Sequence, residues 1–233
     1  MPLPKIEIPK YEVKIPSTGK TIQYRPYLVK EEKILMIALE TKSNRQIMSA
    51  MKDIVSVCTF NKIDPDKLCM FDLEYLFLKL RSKSTGEISR VGLKCSHCEV
   101  SNKVEINLDE VSVKFPEKVE KKIQLNDEIG VTLCYPKTDF LSEQDGKLTA
   151  AAITDVVIAC IDTIYDGTKV YHSADSTKEE LIEFVDSLNQ AQFLKIQEFI
   201  SNMPKLELNV KFKCDKCKKE NELTITGLQN FFN

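Results

Sequence analysis

The sequence predicts an α+β fold in which a helical part packs on mostly antiparallel strands. Three observations point there. A charged entry leads into an apolar run at residues 30–39, apolar residues recur at helical spacing through residues 44–57, and strand character prevails from residue 87 to about residue 135. Two Cys-x-x-Cys pairs, Cys95-Ser96-His97-Cys98 and Cys214-Asp215-Lys216-Cys217, also stand in matching surroundings. A shift of 119 positions aligns Val91 with Val210, Leu93 with Phe212, Lys94 with Lys213, Asn102 with Asn221 and Ile106 with Ile225. Each pair is therefore expected in a tight turn between two alternating strands.

Residues 1–10 contain Pro2, Pro4 and Pro9 and read as an extended arm, because proline fixes φ and removes a backbone donor. Residues 11–15 alternate, Pro16-Ser17-Thr18-Gly19-Lys20 makes a turn and residues 21–27 resume, which predicts a β-hairpin. A charged entry followed by an apolar run predicts a helix over 30–39. Ile47, Met48, Met51, Ile54 and Val55 predict a second over 44–57. Asp64-Pro65 is an N-cap followed by proline at the first helical position. The apolar run 71–80 predicts a buried helix. Strands are expected at 111–115, 122–125 and 131–135, beyond the first cysteine hairpin.

Residues 148–165 predict the longest apolar helix, stopped by Asp166-Gly167. Ser176-Thr177-Lys178-Glu179-Glu180 carries two overlapping capping boxes and opens a helix to about residue 188. Asn189 caps the next, which Pro204 ends. Leu228, Phe231 and Phe232 make a short amphipathic tail. The implied division is 1–29 for the arm and hairpin and 30–86 for the helical segment. Residues 87–108 make the first cysteine hairpin, 109–204 the inserted strands and helices, and 205–233 the second hairpin and tail.

Two Cys-x-x-Cys turns supply four thiolates, the donor set of a structural zinc site, with Cys95, Cys98, Cys214 and Cys217 as ligands of one Zn2+. Two hairpins pinching one ion form a zinc ribbon whose halves lie on either side of a long insertion. Four sulfurs fill a tetrahedral shell, so a structural ion is expected, in contrast to a catalytic site with three protein ligands and a water. Lys94, Lys211, Lys213, Lys216, Lys218 and Lys219 can offset the thiolate charge. His97 is expected to be a surface turn residue, His172 a loop or cap residue, and Cys58, Cys69, Cys134 and Cys160 inert thiols among apolar neighbours.

Composition narrows the function. The 33 basic and 35 acidic residues nearly cancel, which argues against a dedicated nucleic-acid binder. No stretch approaches the roughly 18 apolar residues of a membrane span, and the N-terminus lacks a leader pattern. Eight cysteines without a leader fit a reducing compartment. Seven glycines and no Gly-x-Ser-x-Gly or His-Glu-x-x-His motif leave no sign of an enzyme or a small-molecule substrate. Two alternatives remain at this level. One is a nucleic-acid-binding ribbon using residues 211–219, whose lysines are interrupted by Asp215. The other, weaker, is a Cys-x-x-Cys thiol oxidoreductase.

Several blocks run from end to end of the chain: Tyr11-Glu12-Val13-Lys14-Ile15-Pro16-Ser17-Thr18-Gly19-Lys20, and above all Tyr24-Arg25-Pro26-Tyr27-Leu28-Val29-Lys30-Glu31-Glu32-Lys33. They continue in Asp72-Leu73-Glu74-Tyr75-Leu76-Phe77-Leu78-Lys79-Leu80-Arg81, Ile164-Tyr165-Asp166-Gly167, Phe199-Ile200-Ser201-Asn202-Met203-Pro204 and Gly227-Leu228-Gln229-Asn230-Phe231-Phe232. On these residues the chain resembles the baseplate hub assembly proteins of T-even-type contractile-tail bacteriophages and their cyanophage relatives. The resemblance implies a non-enzymatic assembly role in the host cytoplasm or in the tail baseplate itself, through binding of phage baseplate hub proteins. The proline-rich arm and first hairpin are the expected contact on separate grounds, because an extended arm with exposed backbone can add to a partner's sheet edge. Many ribbons carry glycine just after the second cysteine. Here Glu99 and Lys218 stand there, a departure that bears on the turn and leaves the sulfurs in place.

Overall fold

The computed structural model describes residues 6–117, 119–138 and 150–231. They form an α+β fold with six α-helices and antiparallel sheets. Pro2 and Pro4 of the expected arm, the first two residues of the helix expected from 148, and Phe232 of the tail lie outside the described residues. The chain divides into two compact units. Residues 115–204 form one, and the segments before and after them form the other.

In the discontinuous unit, β1 (Tyr11–Lys14) and β2 (Thr21–Tyr24) form the first hairpin. Val13, Ile22 and Tyr24 are buried from it. In its turn the Ser17 N–H donates to Asp72 Oδ1 at 2.9 Å. The second strand ends at Tyr24, short of the expected residue 27. Arg25 turns inward, its N–H reaching the Cys58 carbonyl at 3.0 Å, and Pro26 removes the next ladder donor.

Helix α1 (Val29–Glu40) follows. Glu31 Oε2 accepts the Leu28 N–H at 2.7 Å and Oε1 meets Arg25 Nη2 at 3.0 Å. Arg25 Nη1 donates to the Pro26 carbonyl, so this ion pair is buried and hydrogen-bonded. Helix α2 (Asn44–Cys58) buries Ala50, Met51, Ile54, Val55 and Cys58, the stripe its spacing predicts. Asp64-Pro65 starts only a 3-10 turn (Pro65–Lys67), and α3 begins separately, Met70–Thr85, ending at Gly86 with φ +110°. The helices pack in sequence, α1 on α2 and α2 on α3.

Strands β3 (Ile88–Lys94) and β4 (Ser101–Asn107) pair with Lys94 opposite Ser101 and Val91 opposite Val104. Strands β10 (Lys205–Lys213) and β11 (Glu220–Thr226) pair with Lys213 opposite Glu220 and Val210 opposite Leu223. The two registers superimpose under the 119-residue shift. The short β5 (Ser112–Lys114) adds to β10, giving the order β11-β10-β5, while β3-β4 remains a separate two-stranded sheet. Helix α3 packs on β10 and β5. The chain returns in a 3-10 turn, Leu228–Phe231, that buries Phe231 fully and lets Ser89 Oγ donate to its carbonyl at 2.8 Å.

The inserted unit carries the sheet β6-β7-β8-β9, made of Lys122–Gln124, Ile129–Leu133, Ile161–Asp166 and Lys169–His172. Its helices are α4 (Ala150–Cys160), α5 (Lys178–Asp186) and α6 (Gln190–Ser201). The single helix expected to reach residue 165 is thus corrected. It stops at Cys160, and Ile161 to Asp166 is a strand paired on both sides. β-branched Ile161, Thr163 and Ile164 suit a pleated surface, and pairing with two neighbours overrides the helical apolar spacing. Asp166-Gly167 is correspondingly a hairpin turn, with Gly167 at φ +56°.

At Gly130 in β7 the sheet needs a missing side chain, because a Cβ there would lie 2.7 Å from the Ile123 backbone carbonyl oxygen, as well as 2.0 Å from Tyr165 Oη. Of the two capping boxes before α5, Thr177 and Glu180 form the one used. The Thr177 N–H donates to Glu180 Oε2 at 2.8 Å, and the Glu180 N–H to Thr177 Oγ1 at 3.2 Å. Asn189 and Gln192 repeat the arrangement for α6. Val131, Leu133, Val157, Ile161 and Ile196 center the apolar core.

Candidate metal centre

The two cysteine turns are built alike. The Cys95 N–H donates to the Val100 carbonyl and the Cys214 N–H to the Lys219 carbonyl, both at 2.9 Å. The Glu99 N–H returns to the Cys95 carbonyl at 2.9 Å, and the Lys218 N–H to the Cys214 carbonyl at 3.0 Å. Each turn closes through a left-handed residue, Glu99 at φ +58° and Lys218 at φ +59°, the positions where glycine was missing. An L-residue in that region costs about 1–2 kcal/mol, part of which glycine would lose again through its freer unfolded chain. Glu99→Gly and Lys218→Gly are therefore each expected to raise stability by about 0.5–1 kcal/mol. Thermal melts at fixed metal content check this, and a lower melting temperature in both would contradict the strain.

The turns bring the four predicted sulfurs together. Cys95, Cys98, Cys214 and Cys217 place their ligand atoms within 4.8 Å of one another. Cys95 Sγ lies 3.6 Å from Cys217 Sγ, and Cys98 Sγ lies 3.6 Å from Cys214 Sγ. Four sulfurs about 2.3 Å from a tetrahedral ion stand roughly 3.8 Å apart, so the cluster is compatible with a metal site. Cys95 and Cys214 are buried, while Cys98 and Cys217 are half-buried.

The surroundings favour thiolate at part of the cluster. Burial opposes the anion at Cys95, but the backbone N–H groups of His97 and Cys98, with Asn221 and Cys217, outweigh it and bring the thiol down to about 6. The backbone N–H of Cys217 leads the groups that lower Cys214, against its burial. At Cys98 the backbone N–H of Val100 favours the anion, but burial and the sulfurs of Cys214, Cys217 and Cys95 together push it up to about 11. Adjacent sulfurs compete for negative charge, which is the condition a soft cation relieves.

The other sequence candidates are not members of this cluster. His97 is exposed, and only its backbone N–H engages a sulfur, Cys95 Sγ at 3.4 Å. His172 ends β9 on the surface of the inserted unit. Cys58 and Cys160 are fully buried, and burial pushes their thiols up to about 11 and about 12. Cys69 and Cys134 are half-buried. The lysines of the second hairpin are exposed, but Lys211 meets Glu222 at 3.3 Å and Lys213 stands opposite Glu220. Asp215, Glu220 and Glu222 thus interrupt the five lysines of this strip, which keeps only a small basic excess.

Sequence reasoning missed the part played by Asn102 and Asn221. Both are buried, at 3% and 4% exposure. Asn102 Oδ1 accepts the Asp215 N–H at 2.8 Å. Asn221 Oδ1 accepts the Ser96 N–H and Ser96 Oγ–H, each at 2.9 Å. Their equivalence under the 119-residue shift was the available signal.

Fold and site together define an α+β protein with a tetracysteine cluster joining two matched β-hairpins. A family model described as T4 bacteriophage base plate protein matches residues 8–233. The chain belongs to that family, in agreement with the resemblance seen in the sequence. No curated protein and no solved structure matches it.

Proposed function

We propose that this protein is a non-enzymatic tail-morphogenesis subunit that helps build the central hub of a contractile-tail baseplate by binding hub or other baseplate proteins. The observation that carries the reading is the family match over residues 8–233. Its Cys95, Cys98, Cys214 and Cys217 hold one structural Zn2+, and the two hairpins form the halves of a zinc ribbon. The ion would tie the end of the chain to its middle, so that the surface offered to neighbours has one shape. The protein acts in the host cytoplasm during assembly and stays with the tail baseplate. No helix among the described residues is long and apolar enough to cross a membrane.

The contact surface we assign is α1. Its middle reads Ile34-Leu35-Met36-Ile37-Ala38-Leu39, apolar on nearly every side, yet Ile34, Met36, Ile37 and Leu39 are 48–64% exposed. A helix apolar all round belongs in a buried setting, and a subunit of a multiprotein baseplate supplies that setting from another baseplate protein. The arm contributes as well, with Ile6 and Ile8 exposed.

Ile34→Lys with Ile37→Lys is expected to change stability by less than about 0.5 kcal/mol and to abolish co-purification of baseplate proteins from infected cells. Removal of residues 1–10 is expected to weaken it. Unchanged capture by both variants would remove this surface. A wild-type dimer lost in the lysine variant would reassign α1 to self-association.

A further inference from the structure

The two cysteine turns belong to different sheets, and no ladder hydrogen bond runs from β3-β4 to β10-β11. Besides the sulfur contacts, what crosses between the turns is the asparagine pair. Each carbonyl oxygen takes a backbone N–H from the first inner residue of the opposite turn, Asp215 for Asn102 and Ser96 for Asn221. Each amide nitrogen ties back to the far end of its own turn. Asn102 Nδ2 donates to the Val100 carbonyl at 2.9 Å and Asn221 Nδ2 to the Lys219 carbonyl at 3.1 Å. One side chain thus clamps two turns, and the second does the same in the reverse sense.

We infer that Asn102 and Asn221 form a reciprocal latch that holds the cysteine turns at ligand distance before an ion arrives, so that metal enters a largely prepared cage. This rests on reading the cluster as a metal centre. The chemistry suits asparagine in particular, since it presents an acceptor and donors on one short planar group. Alanine would leave a backbone N–H without its acceptor. Aspartate keeps the acceptor but drops the donors and adds negative charge beside four sulfurs. Both asparagines are buried with their amide groups engaged, so they are positioning residues and are not further ligands. Partners that orient a metal's ligands typically alter affinity by about 10–100-fold when removed.

The test uses the full chain with hydrogen exchange in the metal-free state and zinc affinity by chelator competition. In metal-free wild type the Ser96 and Asp215 amides are expected to be protected. Asn102→Ala should free Asp215 selectively, and Asn221→Ala should free Ser96. Each should weaken zinc binding by about tenfold or more. Asn102→Asp should restore protection of Asp215, and it carries the test if the alanine variant does not fold. Free exchange of both amides in metal-free wild type, or zinc affinity within about twofold of wild type in both alanine variants, would overturn the latch. Wild type that takes up no zinc would overturn the metal-centre reading alone, and the exchange data would still decide the latch.

Discussion

Cys214→Ser is expected to drop the metal content from about one ion per chain to near zero and to lower the melting temperature of the discontinuous unit by about 10 °C. The size follows from linkage. An ion bound only by the folded chain, at a free concentration about 1,000 times its dissociation constant, adds about 4 kcal/mol. One kcal/mol shifts the transition of a domain this size by roughly 2–4 °C. Serine nearly preserves the volume of the thiol, so packing around the buried Cys214 changes little. Chelation of the wild type should give the same melting temperature as the variant, and chelator should leave the variant unaffected. Metal-free wild type should stay folded, because α3, β5 and β10 pack together and the asparagines bridge the turns without an ion. Equal metal content and equal melting temperature in wild type and variant would refute the proposed site.

Arg25→Ala is expected to cost about 3–5 kcal/mol, the loss seen when one partner of a buried ion pair is removed. Glu31 is 4% exposed and hydrogen-bonded to both Arg25 and the Leu28 N–H. Burial alone raises its pKa, but the hydrogen bonds from Arg25 and Leu28 and the charges of Arg25 and Lys30 outweigh it, leaving it below 4.5. A carboxyl depressed in the folded state contributes stability that is present above its unfolded pKa and lost as pH falls through the folded value.

Without Arg25 the balance reverses. Burial dominates, the Glu31 pKa rises, and the variant becomes less stable as pH climbs through the raised value. The deficit should therefore be largest near neutral pH and shrink in acid. Denaturant unfolding of both chains between pH 4 and pH 7 checks the sign, and a deficit independent of pH would show that Glu31 is not the group left exposed to the change.

Much of this was legible in the sequence, for identifiable reasons. Helices α1 and α2 carry one-sided spacing or a charged entry, and the hairpins announced themselves by repeating each other. Capping at Thr177 and Asn189 was readable because it is local. The error at Ile161 came from a run in which apolar residues suit either period, and only the neighbouring strands β7 and β9 decide between them. Strand β9 itself, Lys169 to His172, is exposed throughout and gave no apolar alternation. Arg25 and Glu31 lay within the segment most specific to the family resemblance, but nothing local says that they meet. The asparagine latch needed coordinates, since it joins residues more than a hundred positions apart.

The pairing of β5 with β10 sets Lys114 opposite Lys205, so the guest stretch leaves and rejoins its host at adjacent points. A ribosome therefore delivers residues 115–204 in full before Cys214 emerges. Cys95 and Cys98 thus cannot meet Cys214 and Cys217 until the whole guest stretch has been made.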